Sequence, residues 1–319
     1  MTSAAPRPPV ISIVAPAFNE EDGLREFCTR MAQAVADEDY ELIIVDDGST
    51  DRTPEVLAEI VAADPRVRAA RLSRNFGHQA ALTAGLTLAR GEAVISIDAD
   101  LQDPPEVARE LIARWRAGAD VVHAVRHVRP GEPRMRLLAI RVFYRAFGRI
   151  SGLENYPGNA GDFRLISRRA LDAVVALPER NRFVRGLVSW VGYRQESVEY
   201  ERDERFAGVS KYPLSKLAQL AADGVISFST LPLRISSLVG IACSIAAFVA
   251  IPVVVGLRLA GLYEVTGVAS IHILVLGLGG LQLTSLGIVG EYLARAYDES
   301  KARPTFIIES VTEARPDGA

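Results

Sequence analysis

The stretch Ala93-Val94-Ile95-Ser96-Ile97-Asp98-Ala99-Asp100-Leu101-Gln102-Asp103-Pro104-Pro105 decides the fold class of this 319-residue chain. Its apolar first half predicts a strand buried inside a parallel sheet. Ligands of open α/β sheets bind at the C-terminal ends of such strands, where Asp98 and Asp100 would lie. Alternating carboxylates suit a hard divalent cation, because Mg²⁺ takes one or two carboxylates together with phosphate oxygens. Strand-end aspartates also cap helices, so the surrounding sequence has to decide between the two interpretations.

Strands and helices alternate on both sides of this stretch. The predicted strands cover 10–15, 41–45, 67–72, a run that ends at Asp98, and 121–125; the predicted helices cover about 22–36, 53–62, 77–88 and 105–117. A βαβαβαβ order with short loops predicts an α/β domain in which helices cover both faces of a parallel sheet.

Two long segments near the C-terminus carry no charged residue. They hold 23 residues between Arg234 and Arg258 and 26 residues between Glu264 and Glu291. A helix of about 20 apolar residues crosses a bilayer core. A buried hairpin of a soluble protein is the alternative, but soluble helices are seldom apolar all round for this length. We therefore expect a domain at 10–230, followed within 231–292 by transmembrane helices at about 235–257 and 267–290.

The ends of the chain and the charge pattern predict its topology. Residues 1–9 lack the apolar region of a signal peptide and are expected to be disordered, and 293–319 to form a C-terminal tail. Lysines and arginines concentrate before the first span and after the second, which predicts a multi-pass protein of the cell membrane with domain and tail in the cytoplasm. The amphipathic segments 135–150 and 213–228 are expected to lie against membrane lipids, with core helices as the alternative.

Composition excludes several function classes. The net charge of −3 and the lack of a basic stripe with aromatic residues argue against nucleic acid as a partner. Cys28 and Cys243 are too far apart in sequence to suggest a metal pair or a disulfide framework. Neither the glycine fingerprint of dinucleotide-binding proteins nor a Walker A sequence follows the first strand. Phosphate binding is therefore assigned to a metal and to cationic side chains, with Arg126, Arg205 and Lys211 as candidates.

Four motifs together resemble one known family. Val45-Asp46-Asp47-Gly48-Ser49-Thr50-Asp51, Arg74-Asn75-Phe76-Gly77, the stretch from Asp98 to Pro105 and the segment from Arg205 to Lys211 have the order and spacing of family 2 glycosyltransferases. Over about residues 10 to 300 the chain resembles the polyprenyl-phosphate branch, which contains the bactoprenol glucosyltransferases and dolichol-phosphate mannose synthases. The resemblance implies a GT-A fold, a nucleotide-sugar donor, a divalent cation (Mg²⁺ or Mn²⁺) and a polyprenyl phosphate acceptor.

The resemblance also implies roles for single positions. The nucleoside pocket would be lined by Pro16, Phe18, Asn19, Glu20, Val45 and Asp47. The metal and the donor would be held by Asp98, Asp100 and Gln102, with Asp100 as the most direct metal ligand and a catalytic residue, and Ala99 would bind the nucleotide-sugar. Phosphates would be contacted by Arg126, Arg205, Lys211 and Arg136, with Arg134 as an alternative to the last. Asp162 matches the position proposed as the catalytic carboxylate, either as a base or as a group that orients the acceptor.

The implied reaction is an inverting transfer at the cytoplasmic membrane face that makes a lipid-linked sugar for cell-envelope glycans. The stretch from Arg74 to Gly85 resembles the bactoprenol glucosyltransferase and aminoarabinose-transferase branches more than the mannose synthases. This resemblance implies a UDP-sugar, with UDP-glucose first and UDP-N-acetylhexosamine or GDP-mannose as alternatives. His78 could contact the donor, but a lone histidine is more often structural, and it is not included among the predicted site residues. A processive synthase would show Gln-x-x-Arg-Trp, where this chain has Arg185-Gly186-Leu187-Val188-Ser189-Trp190. A non-catalytic scaffold that binds nucleotide-sugar is the non-enzyme alternative, and a homo-oligomer is left open.

Overall fold

The computed structural model describes residues 9–127, 160–180, 182–201, 230–261 and 268–313. The chain divides into two compact units, Met1–Pro213 together with Pro304–Ala319, and Leu214–Arg303. The predicted disordered N-terminus (apart from Pro9) and the predicted amphipathic segments 135–150 and 213–228 lie outside the described residues.

The first unit combines eight described strands with six described helices. The strands are β1 (Ile11–Ala17), β2 (Tyr40–Asp46), β3 (Val67–Leu72), β4 (Ala93–Ser96), β5 (Val121–Arg126), β6 (Ala160–Ser167), β7 (Gln195–Tyr200) and β8 (Ile308–Glu313). The helices are α1 (Leu24–Ala34), α2 (Thr53–Ala63), α3 (His78–Leu88), α4 (Ala108–Arg116), α5 (Arg168–Ala176) and α6 (Val184–Trp190). A short 3-10 turn, Pro105–Val107, precedes α4.

The strands form one mixed sheet in the order β7-β5-β6-β4-β1-β2-β3-β8. Strands β1 to β4 pair in parallel, while β6 runs antiparallel to both β4 and β5, and β8 runs antiparallel to β3. Because β7 pairs in parallel with β5, six strands share one direction and only β6 and β8 run against it. The predicted α/β class, a mostly parallel sheet with helices on both faces, is confirmed.

Alternate residues of the central strand β1 face two different helix layers. Ile11 and Ile13 belong to a buried cluster with residues of α1, α2 and α4. Val14 points the other way, where it lies against Gly85 of α3 so closely that a side chain at Gly85 would clash. A sheet covered on both faces needs apolar residues at successive positions, which is why these strands read as continuous apolar runs.

The region predicted as a C-terminal tail contains a strand of the sheet. β8 pairs with β3 at the sheet edge, and the Glu313 carboxylate accepts hydrogen bonds from Arg68 Nε (2.7 Å) and from Arg90 Nη2 (3.0 Å). Residues 309–313 of this strand are all exposed and mostly polar, so the sequence lacks the apolar run that marks the central strands.

The second unit contains two long helices among its described residues, α7 (Leu231–Leu259) and α8 (Val268–Ser300). By length and composition, one helix in the described part of the chain could cross a membrane: Leu231–Leu257, with 27 residues and a mean hydropathy of 2.7. The predicted first span lies within this helix. The predicted second span lies almost entirely within α8, and its membrane insertion stays a prediction.

Candidate active site

The turns that follow β1 and β2 are hydrogen bonded to each other at the C-terminal edge of the sheet. The backbone N–H of Asn19 donates to Ser49 Oγ, and Asn19 Oδ1 accepts the backbone N–H of Thr50, both at 2.9 Å. The N–H of Glu20 donates to Thr53 Oγ1 at 2.9 Å. Asn19 has a φ of 56°, an uncommon backbone conformation that these bonds hold in place.

The predicted nucleoside residues are therefore brought to one edge, although not all of them are exposed there. Phe18 leaves 43% of its surface exposed and offers a ring on which a base could stack. Pro16 and Val45 are register partners inside the sheet, and Val45 is completely buried. The Val45 side chain faces Gly85 of α3, so it packs beneath the predicted nucleoside pocket.

Asp47 joins this edge to the start of α3. Its two carboxylate oxygens accept the backbone N–H groups of Phe76 (2.7 Å) and Gly77 (2.9 Å), the residues just before the helix begins. Burial raises the pKa of Asp47, and the two backbone hydrogen bonds offset only part of that increase. Asp47 thus fixes the loop that carries His78.

Asp98 and Asp100 follow the end of β4 in a strained loop. Leu101, a branched residue, has a φ of 57°, and Asp100 Oδ1 accepts the backbone N–H of Gln102 at 3.1 Å. Asp98 Oδ1 is buried and forms no hydrogen bond among the described residues, although His78 Nε2 lies 3.5 Å from it. Burial and the carboxylates of Asp162, Asp100 and Asp103 raise the pKa of Asp98 to about 6, although His78 opposes them. An orphaned carboxylate oxygen beside a second carboxylate fits a divalent cation.

Arg126, at the end of β5, already forms hydrogen bonds with other side chains of the protein. Its Nη2 donates to Asp103 Oδ2 at 3.1 Å and its Nε to Tyr200 Oη at 3.2 Å, while Tyr200 donates to Asp103 Oδ1 at 2.5 Å. About a third of the Arg126 side chain is exposed, so it can still meet a ligand from this position. Asp103 and Tyr200 had not been assigned roles from the sequence.

Asp162 reaches the same edge because β6 runs against β4. The register places Ser96 opposite Arg164, and Ser96 Oγ donates to the backbone oxygen of Asp162 at 2.5 Å. Asp162 therefore lies beside Asp98, which follows β4 by two residues. The catalytic role that the family resemblance implies for Asp162 stays a prediction.

The Asp162 carboxylate is enclosed by donors. Arg185 Nε donates to Oδ1 at 2.9 Å and Arg185 Nη2 to Oδ2 at 2.8 Å, in a bidentate ion pair. His78 Nε2 lies 3.1 Å and Gln79 Nε2 3.3 Å from Oδ2. Only 1% of the Asp162 side chain is exposed.

These contacts shift the pKa values of Asp162 and His78. Burial alone would raise the pKa of Asp162, but hydrogen bonds from His78 and Arg185 and the charges of Arg185 and Arg164 hold it far below its ordinary value. Burial lowers the pKa of His78, and its contacts with Asp162 and Asp98 outweigh this effect, so the net pKa is raised. These contacts favour the charged form of Asp162, and both of its oxygens accept hydrogen bonds.

One group of described residues lies close enough to hold a metal ion by proximity: the ligand atoms of His78, Asp98 and Asp162 all lie within 4.8 Å of one another. Both oxygens of Asp162 face the Arg185 guanidinium, however, and a cation there would be repelled by it. Asp98 together with Asp100 is the better candidate, and the ligand set predicted from the sequence, which also includes Gln102, stays a prediction.

Three predicted phosphate contacts, Arg136, Arg205 and Lys211, lie outside the described residues, as does the alternative Arg134. Conversely, sequence reasoning left out His78, Gln79 and Arg185, which form the surroundings of Asp162. His78 directly follows the Arg74-Asn75-Phe76-Gly77 motif, a signal that could have included it. Arg185 lies on a seven-residue helix without a distinctive pattern of its own.

Comparison with known proteins gives consistent matches. The family model described as glycosyl transferase family 2 matches residues 12–175. An uncharacterized glycosyltransferase of Bacillus subtilis is 45% identical over 300 residues, which is 93% of each chain. A bactoprenol glucosyl transferase of Shigella phage SfV is 42% identical over 303 residues, 94% of this chain and 98% of that protein.

Among solved structures, glucosyl-3-phosphoglycerate synthase from Mycobacterium tuberculosis in complex with Mn²⁺, uridine diphosphate and phosphoglyceric acid is similar over 68% of this chain and 76% of that one. Its sequence identity is 21% and its TM-score 0.47.

Proposed function

Because this chain belongs to glycosyl transferase family 2, we propose that it transfers glucose from UDP-glucose to a polyprenyl phosphate. The main observation behind the proposal is that two carboxylates lie side by side at one sheet edge. One oxygen of Asp98 forms no hydrogen bond, and Asp162 forms an ion pair with Arg185. The lipid acceptor is supported by similarity to a bactoprenol glucosyl transferase along almost the whole chain.

The proposed reaction is one displacement at the anomeric carbon. An oxygen of the acceptor phosphate forms the new bond to C1, while the bond from C1 to the diphosphate breaks and its electron pair leaves with UDP. Attack opposite the leaving group inverts the centre, so an α-linked donor gives a β-linked lipid. The second pKa of a phosphate monoester is about 6, so the acceptor is largely a dianion at neutral pH and needs no strong base.

Each group of residues would have a role that follows from its position along the sheet edge. The turns after β1 and β2 would bind the nucleoside, with the exposed ring of Phe18 against the base. Asp98 and Asp100 would hold Mg²⁺ or Mn²⁺, which when bound supplies Lewis-acid stabilisation of the departing diphosphate. Asp162, charged and fully engaged, would act as an orienting group rather than as a base.

A membrane location fits this acceptor. The polyprenyl chain stays in the bilayer, so the enzyme must work at the membrane surface. The apolar helix Leu231–Leu257 has the length and composition to anchor it. We place the catalytic domain on the cytoplasmic face and the predicted second span in α8, on the charge pattern of the sequence.

The test is transfer of label from UDP-glucose, UDP-N-acetylglucosamine and GDP-mannose to undecaprenyl phosphate. The purified full chain in detergent is assayed with Mg²⁺, with Mn²⁺ and with EDTA. We expect labelled lipid from UDP-glucose that disappears with EDTA. Transfer from another donor would correct the sugar. Nucleotide-sugar binding without transfer to any lipid phosphate would overturn the enzymatic proposal in favour of a scaffold.

A further inference from the structure

The cluster around Asp162 contains more positive charge than the carboxylate neutralises. Arg185 forms the bidentate pair, Arg164 Nη2 lies 3.5 Å from Asp162 Oδ1, and His78 lies on the second oxygen. Two guanidinium groups and an imidazole thus lie around the Asp162 carboxylate, and the imidazole is shared with Asp98, whose Oδ1 lies 3.5 Å from His78 Nε2. Such an excess of positive charge at a substrate edge attracts an anion.

Arg185 is the guanidinium of this cluster that reaches the surface. About 31% of its side chain is exposed, compared with 1% for Arg164. The ion pair with Asp162 uses the Nε and Nη2 edge of its planar group. Arginine binds phosphate through such N–H groups with high geometric specificity.

Neighbouring contacts hold Arg185 in one orientation. Gln79 Oε1 accepts the backbone N–H of Val184 at 3.0 Å, and Gln79 Nε2 donates to Asp162. The start of α6 is therefore tied to the same carboxylate that binds the arginine. A cation held in place before substrate arrives loses little entropy on binding, which is how positioning assists a reaction between two anions.

The strand order puts the nucleoside turns and Asp162 on opposite sides of Asp98. The nucleoside turns follow β1 and β2, the metal carboxylates follow β4, and Asp162 lies on β6, the neighbour of β4 on the side away from β1. Displacement with inversion requires the acceptor to approach C1 from the side opposite the diphosphate. With the diphosphate held at Asp98 and Asp100, the acceptor oxygen would enter from the β6 side.

We propose that Arg185 binds the phosphate of the lipid acceptor, and that Asp162 holds Arg185 in position for this contact. The inference rests on the proposed function, since it names the group that receives the acceptor. It also explains why the Asp162 carboxylate, at the proposed reaction centre, is fully occupied by hydrogen-bond donors. In this proposal Asp162 does not accept a proton but holds the Arg185 guanidinium beside the incoming phosphate dianion.

The experiment compares Arg185→Gln with Arg185→Lys and with the control Arg194→Gln. Arg194 is an exposed arginine whose side chain pairs with Glu196. For each variant, the KM for undecaprenyl phosphate and the kcat are measured in the transfer assay. The Kd for UDP-glucose is measured separately, by calorimetry without acceptor. We expect Arg185→Gln to raise the acceptor KM at least tenfold and to change the donor Kd less than twofold.

Arg185→Lys keeps the charge and should raise the acceptor KM by a smaller factor, and Arg194→Gln should match the wild type. If the melting temperature shows that Arg185→Gln does not fold, Arg185→Lys alone tests the inference. An unchanged acceptor KM would overturn the inference; if the donor Kd rose instead, Arg185 would bind the donor diphosphate. If the wild type itself labels no lipid, the proposed function fails, which separates that failure from one confined to Arg185.

Discussion

The carboxylate of Glu41 and the guanidinium of Arg68 form an ion pair of 2.7 Å between Oε2 and Nη1, with only 8% of each side chain exposed. Glu41 Oε1 also accepts hydrogen bonds from Ser12 Oγ at 2.6 Å and from the backbone N–H of Arg90 at 2.8 Å. Arg68 continues the network to Glu313 of β8. A buried pair whose partners are all satisfied is costly to break, because the remaining charge is left without compensation.

Glu41→Gln is therefore expected to lower the free energy of unfolding by about 3 kcal/mol. The matched control is Glu309→Gln, whose carboxylate pairs with Arg71 and is 57% exposed; it should cost less than about 1 kcal/mol. Denaturant unfolding of both variants in detergent checks this difference. Equal effects would show that the buried pair is not a main contributor to stability.

Gly48 lies in the turn after β2 with a φ of 68°, and a Cβ placed there would come within 2.5 Å of the backbone carbon of Arg74. Gly48→Ala should push this turn away from the loop that Asp47 holds. We expect a loss of roughly 2 kcal/mol or more from strain and clash together, and weaker binding of UDP-glucose. Thermal unfolding and calorimetry measure the two effects.

Gly192→Ala is the control for this prediction. Gly192 has a φ of 77°, close to that of Gly48, but a Cβ there would meet nothing within 4 Å. It should show the cost of a positive φ without the clash. If Gly192→Ala destabilised the protein as much as Gly48→Ala, the close approach of the two loops would not be the cause.

Asp100→Ala should abolish metal-dependent transfer while the protein still folds and enters the membrane. Asp100 is partly exposed and its one described side-chain contact is with the Gln102 N–H, so its removal disturbs little packing. Asp172→Ala, at a carboxylate 65% exposed on α5, is the control. Transfer at the wild-type rate in Asp100→Ala, at saturating UDP-glucose, would remove Asp100 from the site.

Protonation of His123 should reduce stability in mild acid. Burial, together with the nearby charge of Arg164, lowers the pKa of His123 to about 4; its Nε2 lies 2.9 Å from Gln195 Oε1, and its buried Nδ1 has no described partner. The unfolded chain, with an ordinary pKa near 6.5, binds more protons than the folded chain. Stability is thus complete above pH 6.5 and falls as the pH drops from there toward 4, by about 2 kcal/mol at pH 5.

The measurement is the difference in melting temperature between pH 7 and pH 5. His123→Gln should show a smaller difference than the wild type, because the variant cannot take up this proton. The comparison cancels the titration of carboxylates, which both proteins share. An identical pH dependence in the two proteins would rule out His123 as a source of acid sensitivity.

The sequence predicted the part of the fold that depends on apolar runs. The strands that became β1 to β5 are apolar on both faces, and their predicted limits agree with the structure to within about two residues. Strand β6 was missed because its central residues, Asp162 and Arg164, are buried polar groups. Strands β7 and β8 carry the alternating polar residues of sheet edges, which a search for apolar runs does not detect.

The residues of the candidate site could likewise be predicted from the sequence only in part. Asp98 and Asp100 could be located from the sequence because they directly follow a recognisable strand. The partners of Asp162 could not, because the antiparallel pairing of β6 and the short helix α6 bring them together from positions as far apart as His78 and Arg185. Contacts of this kind depend on tertiary topology, which local patterns do not encode.

Strand β8 has a consequence for the order in which the protein can fold. Arg68 and Glu313 are 245 residues apart in sequence, and both long helices are synthesised between them. The sheet therefore stays one strand short until residues 308–313 have been synthesised, with the edge of β3 open to pairing with other chains. A chain truncated before residue 308 would keep this edge open, and it should aggregate more readily than a chain that contains β8.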